Sequence, residues 1–236
     1  MKRIILFLTL LLASFGSTFA SEQTEKFDAG KLIMEHLGDS YYWHIFTYND
    51  LDVSIPLPII LINEGKIDIF ISSKFHHGHS TYKGYKIATE ADGEGLEGSI
   101  ICVDSNGVYT GKKPLDFSIT KNVFAIFIVT GLIVFLVLKG AKIAKKREGQ
   151  APKGLLTVVE YFISFIKDDI ALPSIGEHKY KKYLPYLLTA FLFIFFSNLL
   201  GLFPFFPGGA NITGNIAVTL CLAVFTFVIT NVSGNK

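Results

Sequence analysis

Apolar residues fall into long uninterrupted runs in the second half of the chain and into short bursts in the first. From Asn122 to Leu138 no charged residue interrupts a stretch rich in Val, Ile, Leu and Phe, and from Tyr183 to Asn235 there is no Asp, Glu, Lys or Arg. Such runs read as membrane-spanning helices. The pattern predicts spans over about 122–138, 184–203 and 216–232. The first, with 17 residues, rises about 26 Å as a helix, near the lower limit for crossing a bilayer. Pro204, Pro207, Gly208 and Gly209 end the second span and turn the chain back. Between the first two spans, Leu155, Leu156, Val159, Phe162, Ile163 and Ile166 share one helical face, and Thr157, Glu160, Ser164 and Lys167 the other. This predicts an amphipathic helix over about 154–168, bounded by Pro152 and Asp168-Asp169. It is too polar on one side to span and is expected to lie along the interface.

The first half reads differently. Tyr42–Tyr48, Val53–Ile62, Ile67–Ile71, Tyr82–Ala88 and Ser99–Val103 are rich in β-branched and aromatic residues, and turn residues separate most of them. These are predicted strands, preceded by a short helix over about Glu25–Leu37. The glycines of Gly93–Gly98 make a turn or loop too short to cradle a phosphate. The first twenty residues have the form of a secretory signal: Lys2 and Arg3, an apolar Ile4–Leu12, and Thr18-Phe19-Ala20 before Ser21. The alternative, an uncleaved anchor, gives the same topology, because the basic end stays inside.

Charge fixes the orientation. The 236 residues have a formal net charge of only +2, which excludes a basic nucleic-acid binder; half the residues are apolar, which excludes a disordered chain. The balance is uneven. Residues 21–116 carry eight Lys+Arg against fifteen Asp+Glu, a net of −7, and residues 139–182 carry ten against five, a net of +5. By the positive-inside rule the 139–182 loop is cytoplasmic and residues 21–116 are extracytoplasmic. The fold class predicted is therefore a mainly α membrane protein with three transmembrane helices and an in-plane amphipathic helix. A signal peptide (1–20) and a small β-rich extracytoplasmic α+β region (21–116) precede the membrane domain (117–236).

Candidate chemistry is sparse. No phosphate-binding loop, dinucleotide fingerprint or Gly-x-Ser-x-Gly elbow occurs. Neither His nor a carboxylate occurs from Tyr183 onward, so no acid–base pair can form there; no catalytic residue and no cofactor are expected. His76, His77 and His79, with His44 upstream, could ligate a transition metal. No spacing fixes a tetrahedral set, so a polar turn between strands is the expectation and no metal site is assigned. Cys102 is extracytoplasmic and Cys221 lies within the third span, so they cannot pair in this topology and are read as packing residues. The informative polar residues are Ser197 and Asn198 in the second span and Thr213, Asn215 and Thr219 at the start of the third. A polar side chain at membrane depth marks a helix contact or a water path, and for any single position the helix contact is favoured.

The run Glu160-Tyr161-Phe162, Tyr183-Leu184-Pro185-Tyr186, Phe191-Leu192-Phe193-Ile194 and Asn198-Leu199-Leu200-Gly201-Leu202-Phe203-Pro204, continued by Thr213-Gly214-Asn215-Ile216-Ala217-Val218-Thr219-Leu220, resembles subunit a of the F-type ATP synthase. The resemblance covers about Asp116–Val232. It implies a non-catalytic stator subunit, set beside a c-ring and the other membrane-sector subunits in a bacterial inner membrane. In that family two offset half-channels pass protons to and from the ring carboxylates. The resemblance places Asn198, Thr213, Asn215 and Thr219 near the outer half-channel. Arg3 and Arg147 are the only arginines, so the family's essential membrane arginine is expected beyond Lys236, and this chain is expected not to complete the channel pair alone. Other readings of the same pattern are a different polytopic transporter or channel, and an extracytoplasmic binding module on a membrane anchor.

Overall fold

The computed structural model describes residues 38–48, 51–203 and 206–234. The predicted signal and the predicted Glu25–Leu37 helix lie outside them.

Among the described residues, seven short strands make three small sheets. Strands β1 (Tyr42–Tyr48) and β2 (Leu51–Pro56) form an antiparallel pair; β4 (Lys66–Ile71), β3 (Pro58–Asn63) and β7 (Leu115–Asp116) form a second sheet in that order; β5 (Tyr85–Ile87) and β6 (Ile100–Cys102) form a third. The expected single strand over Val53–Ile62 is two strands, and the reason is proline. Pro56 and Pro58 have no N–H for a ladder, so Leu57 between them sends its N–H to the Tyr41 carbonyl, 3.1 Å away, and to Ser72 Oγ at 3.0 Å. The chain thereby leaves β1 and pairs with β4. The expected Tyr82–Ala88 strand is shortened for a related reason. Lys83 (φ 53°) and Gly84 (φ 77°) occupy a two-residue turn closed by both Tyr82–Tyr85 backbone bonds, 2.9 Å each.

Alternation in β3 and β4 sends Ile59, Leu61 and Phe70 inward against Phe75, Tyr85, Ile100 and Cys102. On the outward side Ile67, Ile69, Ile71, Leu115 and Phe117 are exposed. Polar ties brace this core. Tyr41 donates its hydroxyl to Asp116, and burial followed by that hydrogen bond pushes its pKa well above the usual tyrosine value. Tyr42 donates to the Ser72 carbonyl, accepts the His77 N–H at 3.1 Å and stacks on the His77 ring at 4.3 Å.

Among the described residues, three helices are long and apolar enough to cross a membrane: α1 (Lys121–Lys146), α4 (Tyr180–Leu202) and α5 (Ile216–Gly234). Helix α1 runs about two turns past the expected Leu138, through Lys139, Lys142, Lys145 and Lys146. Lysine is a good helix former and favourable at a helix C-terminus, so the charges end the apolar stretch and leave the helix intact. Its start is capped twice: Thr120 Oγ1 accepts the Val123 N–H at 3.4 Å, and Asp39 Oδ1 accepts the Asn122 N–H at 3.0 Å.

The amphipathic segment begins as α2 (Leu155–Ser164), widens to π-helix over Phe165–Ala171, and closes as α3 (Leu172–Ile175) before Gly176 at φ 85°. Asp168-Asp169 therefore do not end it, contrary to the sequence expectation. Ile163, expected inside, is exposed on α2. Within the widened segment Ile166 and Ala171, five residues apart as π geometry requires, are buried. Phe162 and Phe165 meet Phe191 and Phe195 of α4 at ring-centroid distances of 5.2–6.0 Å. Helix α2 also crosses α1 at Gly140, where an added Cβ would lie 3.1 Å from both Val159 methyl carbons.

Gly140→Leu is expected to wedge α2 off α1 and to cost about 1–3 kcal/mol by overpacking, with Gly140→Ala milder. Unfolding of the purified chain in a titration from mild to denaturing detergent checks this; unchanged midpoints for both variants would show that the crossing is loose.

Candidate functional site

The polar residues of interest collect where α4 ends and α5 begins. Leu200 and Gly201 lead into the turn, and a Cβ at Gly208 would lie 2.2 Å from the Phe203 carbonyl oxygen, so only glycine fits that close approach. The turn is clasped from the strand-rich region. Trp43 of β1 donates its indole N–H to the Gly208 carbonyl at 3.2 Å, and its ring meets Phe124 and Phe206 edge-on at 5.6 and 5.4 Å. Trp43, Ala125, Val129, Ala210 and Ile212 form one buried cluster, with Phe193, Phe196 and Leu200 packed on it. Small residues on α1 let α4 approach closely here.

Against that wall, Asn198 and Thr213 come together. Thr213 Oγ1 donates to Asn198 Oδ1 at 2.7 Å, and Asn198 Nδ2 donates to the Ile194 carbonyl of its own helix at 2.9 Å. The other two predicted residues stay local. Asn215 Oδ1 accepts the Ala217 N–H at 2.9 Å, capping α5, and Thr219 Oγ1 donates back to the carbonyls of Asn215 and Ile216 at 3.3 and 3.2 Å. The structure thus pairs Asn198 with Thr213 across the hairpin and gives Asn215 and Thr219 helix-start bonds.

Two further atoms stand out. Ser197 Oγ and Asn122 Oδ1 are buried and have no hydrogen-bond partner among the described residues. Ser197 shares a helical face with Phe193 and Leu200, and Asn122 with Ala125 and Val129, so both belong to the α1–α4 seam at the turn end of the bundle. An orphaned buried acceptor costs roughly 1–3 kcal/mol, which water entering the seam would relieve. Sequence reasoning placed neither in the path. Its available signal was one polar residue opening the apolar α1 run and one hydroxyl beside Asn198. It also left unused Trp43, the only tryptophan of the chain, and the Tyr186–Thr226 hydroxyl pair, 2.7 Å apart between α4 and α5.

The strand-rich region offers less. Among the described residues no three His, Cys, Asp or Glu side chains converge as a metal set. His77 is engaged by Tyr42 and, through Nε2, by Ser54 Oγ at 3.5 Å. Cys102 is buried in β6, which pushes its thiol pKa up, and Cys221 is exposed on α5.

Such an arrangement defines an integral membrane protein whose spans carry uncharged polar groups. Comparison with known proteins makes the class specific. The family model for the ATP synthase A chain matches residues 123–236, and one for a Domain of unknown function (DUF8433) matches residues 32–117. ATP synthase subunit a 2 of Chlorobaculum tepidum is 52% identical over 122 residues, 51% of this chain and 34% of that protein. ATP synthase subunit a of Pelodictyon phaeoclathratiforme is 47% identical over 123 residues, 52% of this chain and 35% of that protein. ATP synthase subunit a of Chlorobium phaeobacteroides strain BS1 is 43% identical over 160 residues, 61% of this chain and 46% of that protein. No solved structure matches. Residues 123–236 of the chain are thus similar to the ATP synthase A chain family. The chain spans about a third of the length of the first of these curated relatives.

A double-mutant cycle of Asn198→Leu and Thr213→Val should give a coupling of about 1 kcal/mol in detergent unfolding, within the range of interhelical hydrogen bonds in membranes. Additive single effects would show that the bond contributes nothing to the hairpin.

Proposed function

We propose that the chain is a proton-translocating, non-catalytic component of the membrane sector of a rotary ATP synthase, standing against a c-ring in a bacterial inner membrane. The observation that carries this reading is the family match over residues 123–236, which takes in α4, α5 and the Asn198–Thr213 pair between them. In this reading the strand-rich region faces the extracytoplasmic side and the basic stretch 139–182 the cytoplasm. The positive-inside rule supports that orientation.

The physical task of such a subunit is to let a ring carboxylate ionise beside it and to leave that carboxylate neutral where it faces lipid. Each proton crossing gains about 2.3 kcal/mol per 100 mV of membrane potential. The subunit itself needs a hydrated polar route from one aqueous side to the ring. Amide and hydroxyl groups exchange hydrogen bonds with water and do not titrate near neutrality. Asn198 is exposed and Thr213 half-buried at the turn end of α4 and α5, and the unpartnered Ser197 Oγ is next to Asn198. These three line the outer entry route. Asn215 and Thr219 hold the first turn of α5 in place for it. The strand-rich region acts on the route through Trp43, which holds the Gly208 turn over the outer ends of α1 and α4.

In membrane vesicles carrying the assembled synthase, Asn198→Leu should lower proton-driven ATP synthesis severalfold while leaving ATP hydrolysis by the detached catalytic head unaffected. Synthesis at the unaltered rate would remove Asn198 from the path.

A further inference from the structure

Helix α5 buries no residue, and the seam it shares with α4 opens into two adjoining grooves toward the end that carries the basic loop. One, of about 410 Å³, lies among α3, α4 and α5 and is bordered by Ser174, Lys179, Tyr183, Thr230 and Ser233. It combines a cation with six hydroxyls, those of Ser174, Tyr183, Tyr186, Thr226, Thr230 and Ser233, with Tyr183 and Ser233 hydrogen-bonded to each other, and among the described residues no carboxylate lines it. It opens beside the first turn of α4, which carries no side-chain cap and contains Lys181 and Lys182. The other groove, of about 600 Å³, is bordered by apolar side chains of three helices, among them Ile133, Val137, Phe193, Leu222 and Phe225. Tyr186 borders both, and its hydroxyl meets Thr226 Oγ1 at their junction.

The chemistry changes along this path as it does along a lipid. A cation and hydroxyl donors sit at the level where α4 enters the membrane, and an apolar slot continues from Tyr186 toward the middle of the span. Lysine with clustered hydroxyls suits a phosphodiester, while a neutral headgroup with its own cation would gain less from Lys179. A protein helix laid in the same place would have to supply an anion at the height of Lys179 and apolar bulk below it.

We infer that these two grooves bind one acidic phospholipid of the leaflet on the basic-loop side. Its phosphate is held by Lys179 with the hydroxyls of Ser174, Tyr183 and Ser233, and an acyl chain lies in the slot past Tyr186. The site goes beyond the ATP synthase reading and does not rest on it, since it requires only that α1, α4 and α5 cross a bilayer. A bound lipid at this position would fill a gap that α4 and α5 do not close by direct packing.

The test uses the full chain reconstituted into phosphatidylcholine vesicles that contain spin-labelled phosphatidylglycerol or spin-labelled phosphatidylcholine. The motionally restricted component should favour phosphatidylglycerol about threefold or more, in line with a local charge and hydroxyl site. Lys179→Gln with Ser233→Ala should bring the preference near parity, and Lys145→Gln, a cation outside both grooves, should leave it intact. Leu222→Trp, which fills the slot and leaves the headgroup residues alone, should also abolish the restricted component. Circular dichroism on each variant verifies its helix content. Equal association of the two lipids with the unaltered chain overturns the inference, as does an equal loss in Lys145→Gln. Displacement of the labelled lipid by millimolar inorganic phosphate would assign the site to a free anion and overturn the lipid. Access of the label only after stripping bound protein from natively purified chain would give the groove to a partner helix and overturn the lipid as well.

Discussion

The hydrogen bond from the Trp43 indole to the Gly208 carbonyl joins the two halves of this molecule. On one side of it are the small sheets, braced by Tyr41, Tyr42 and the β3–β4 ladder. On the other are the N-terminal end of α1, the C-terminal end of α4 and the turn into α5. The same indole packs edge-on against Phe124 of α1 and Phe206 of the turn, so one side chain fixes three backbone segments. Glycine at 208 is the complementary requirement, because any Cβ there would collide with the Phe203 carbonyl. A second tie, Asp39 on the α1 N-terminus, holds the same junction from the other direction.

That junction decides where the polar groups of the membrane half can be. Thr213 reaches Asn198 only because the turn brings the chain back beside the last turn of α4. Ser197 and Asn122 are orphaned because the Ala125–Val129 face of α1 is drawn close to Phe193 and Leu200. Toward the opposite end the Tyr186–Thr226 and Tyr183–Ser233 hydroxyl pairs tie α4 to α5, and the apolar and cationic grooves open beside them. An uncharged polar end and a basic end are the two environments the fold creates from one hairpin.

Much of this was legible in the chain itself. Charge-free runs located all three long helices, since nothing but an apolar helix satisfies its backbone through such a stretch. Their ends were less legible: charge limits the membrane-embedded part, and α1 and α4 continue as helix through Lys139–Lys146 and Lys181-Lys182. Strand positions followed β-branched and aromatic clusters, but Pro56 and Pro58 around Leu57, and Lys83-Gly84, were local breaks that outweighed composition. The five-residue spacing of Ile166 and Ala171 fits no 3.6-residue template, so periodicity ended the helix at Asp168. Among the polar residues, the apolar pattern pointed to the right neighbourhood and not to the pairings. Asn215 and Thr219 are satisfied within their own helix turn, a local matter, whereas the Asn198–Thr213 and Trp43–Gly208 contacts depend on the fold of the turn between them and had no signature to read.

The proposal on which the functional reading stands is that these helices belong in the membrane sector of a rotary ATP synthase. Gentle-detergent purification of the affinity-tagged full chain from its native membranes, followed by identification of the associated proteins, tests it most directly. The c subunit and the synthase's other membrane-sector subunits are expected in near-stoichiometric yield. Recovery of the intact chain without them, under conditions that keep the synthase assembled, would contradict it.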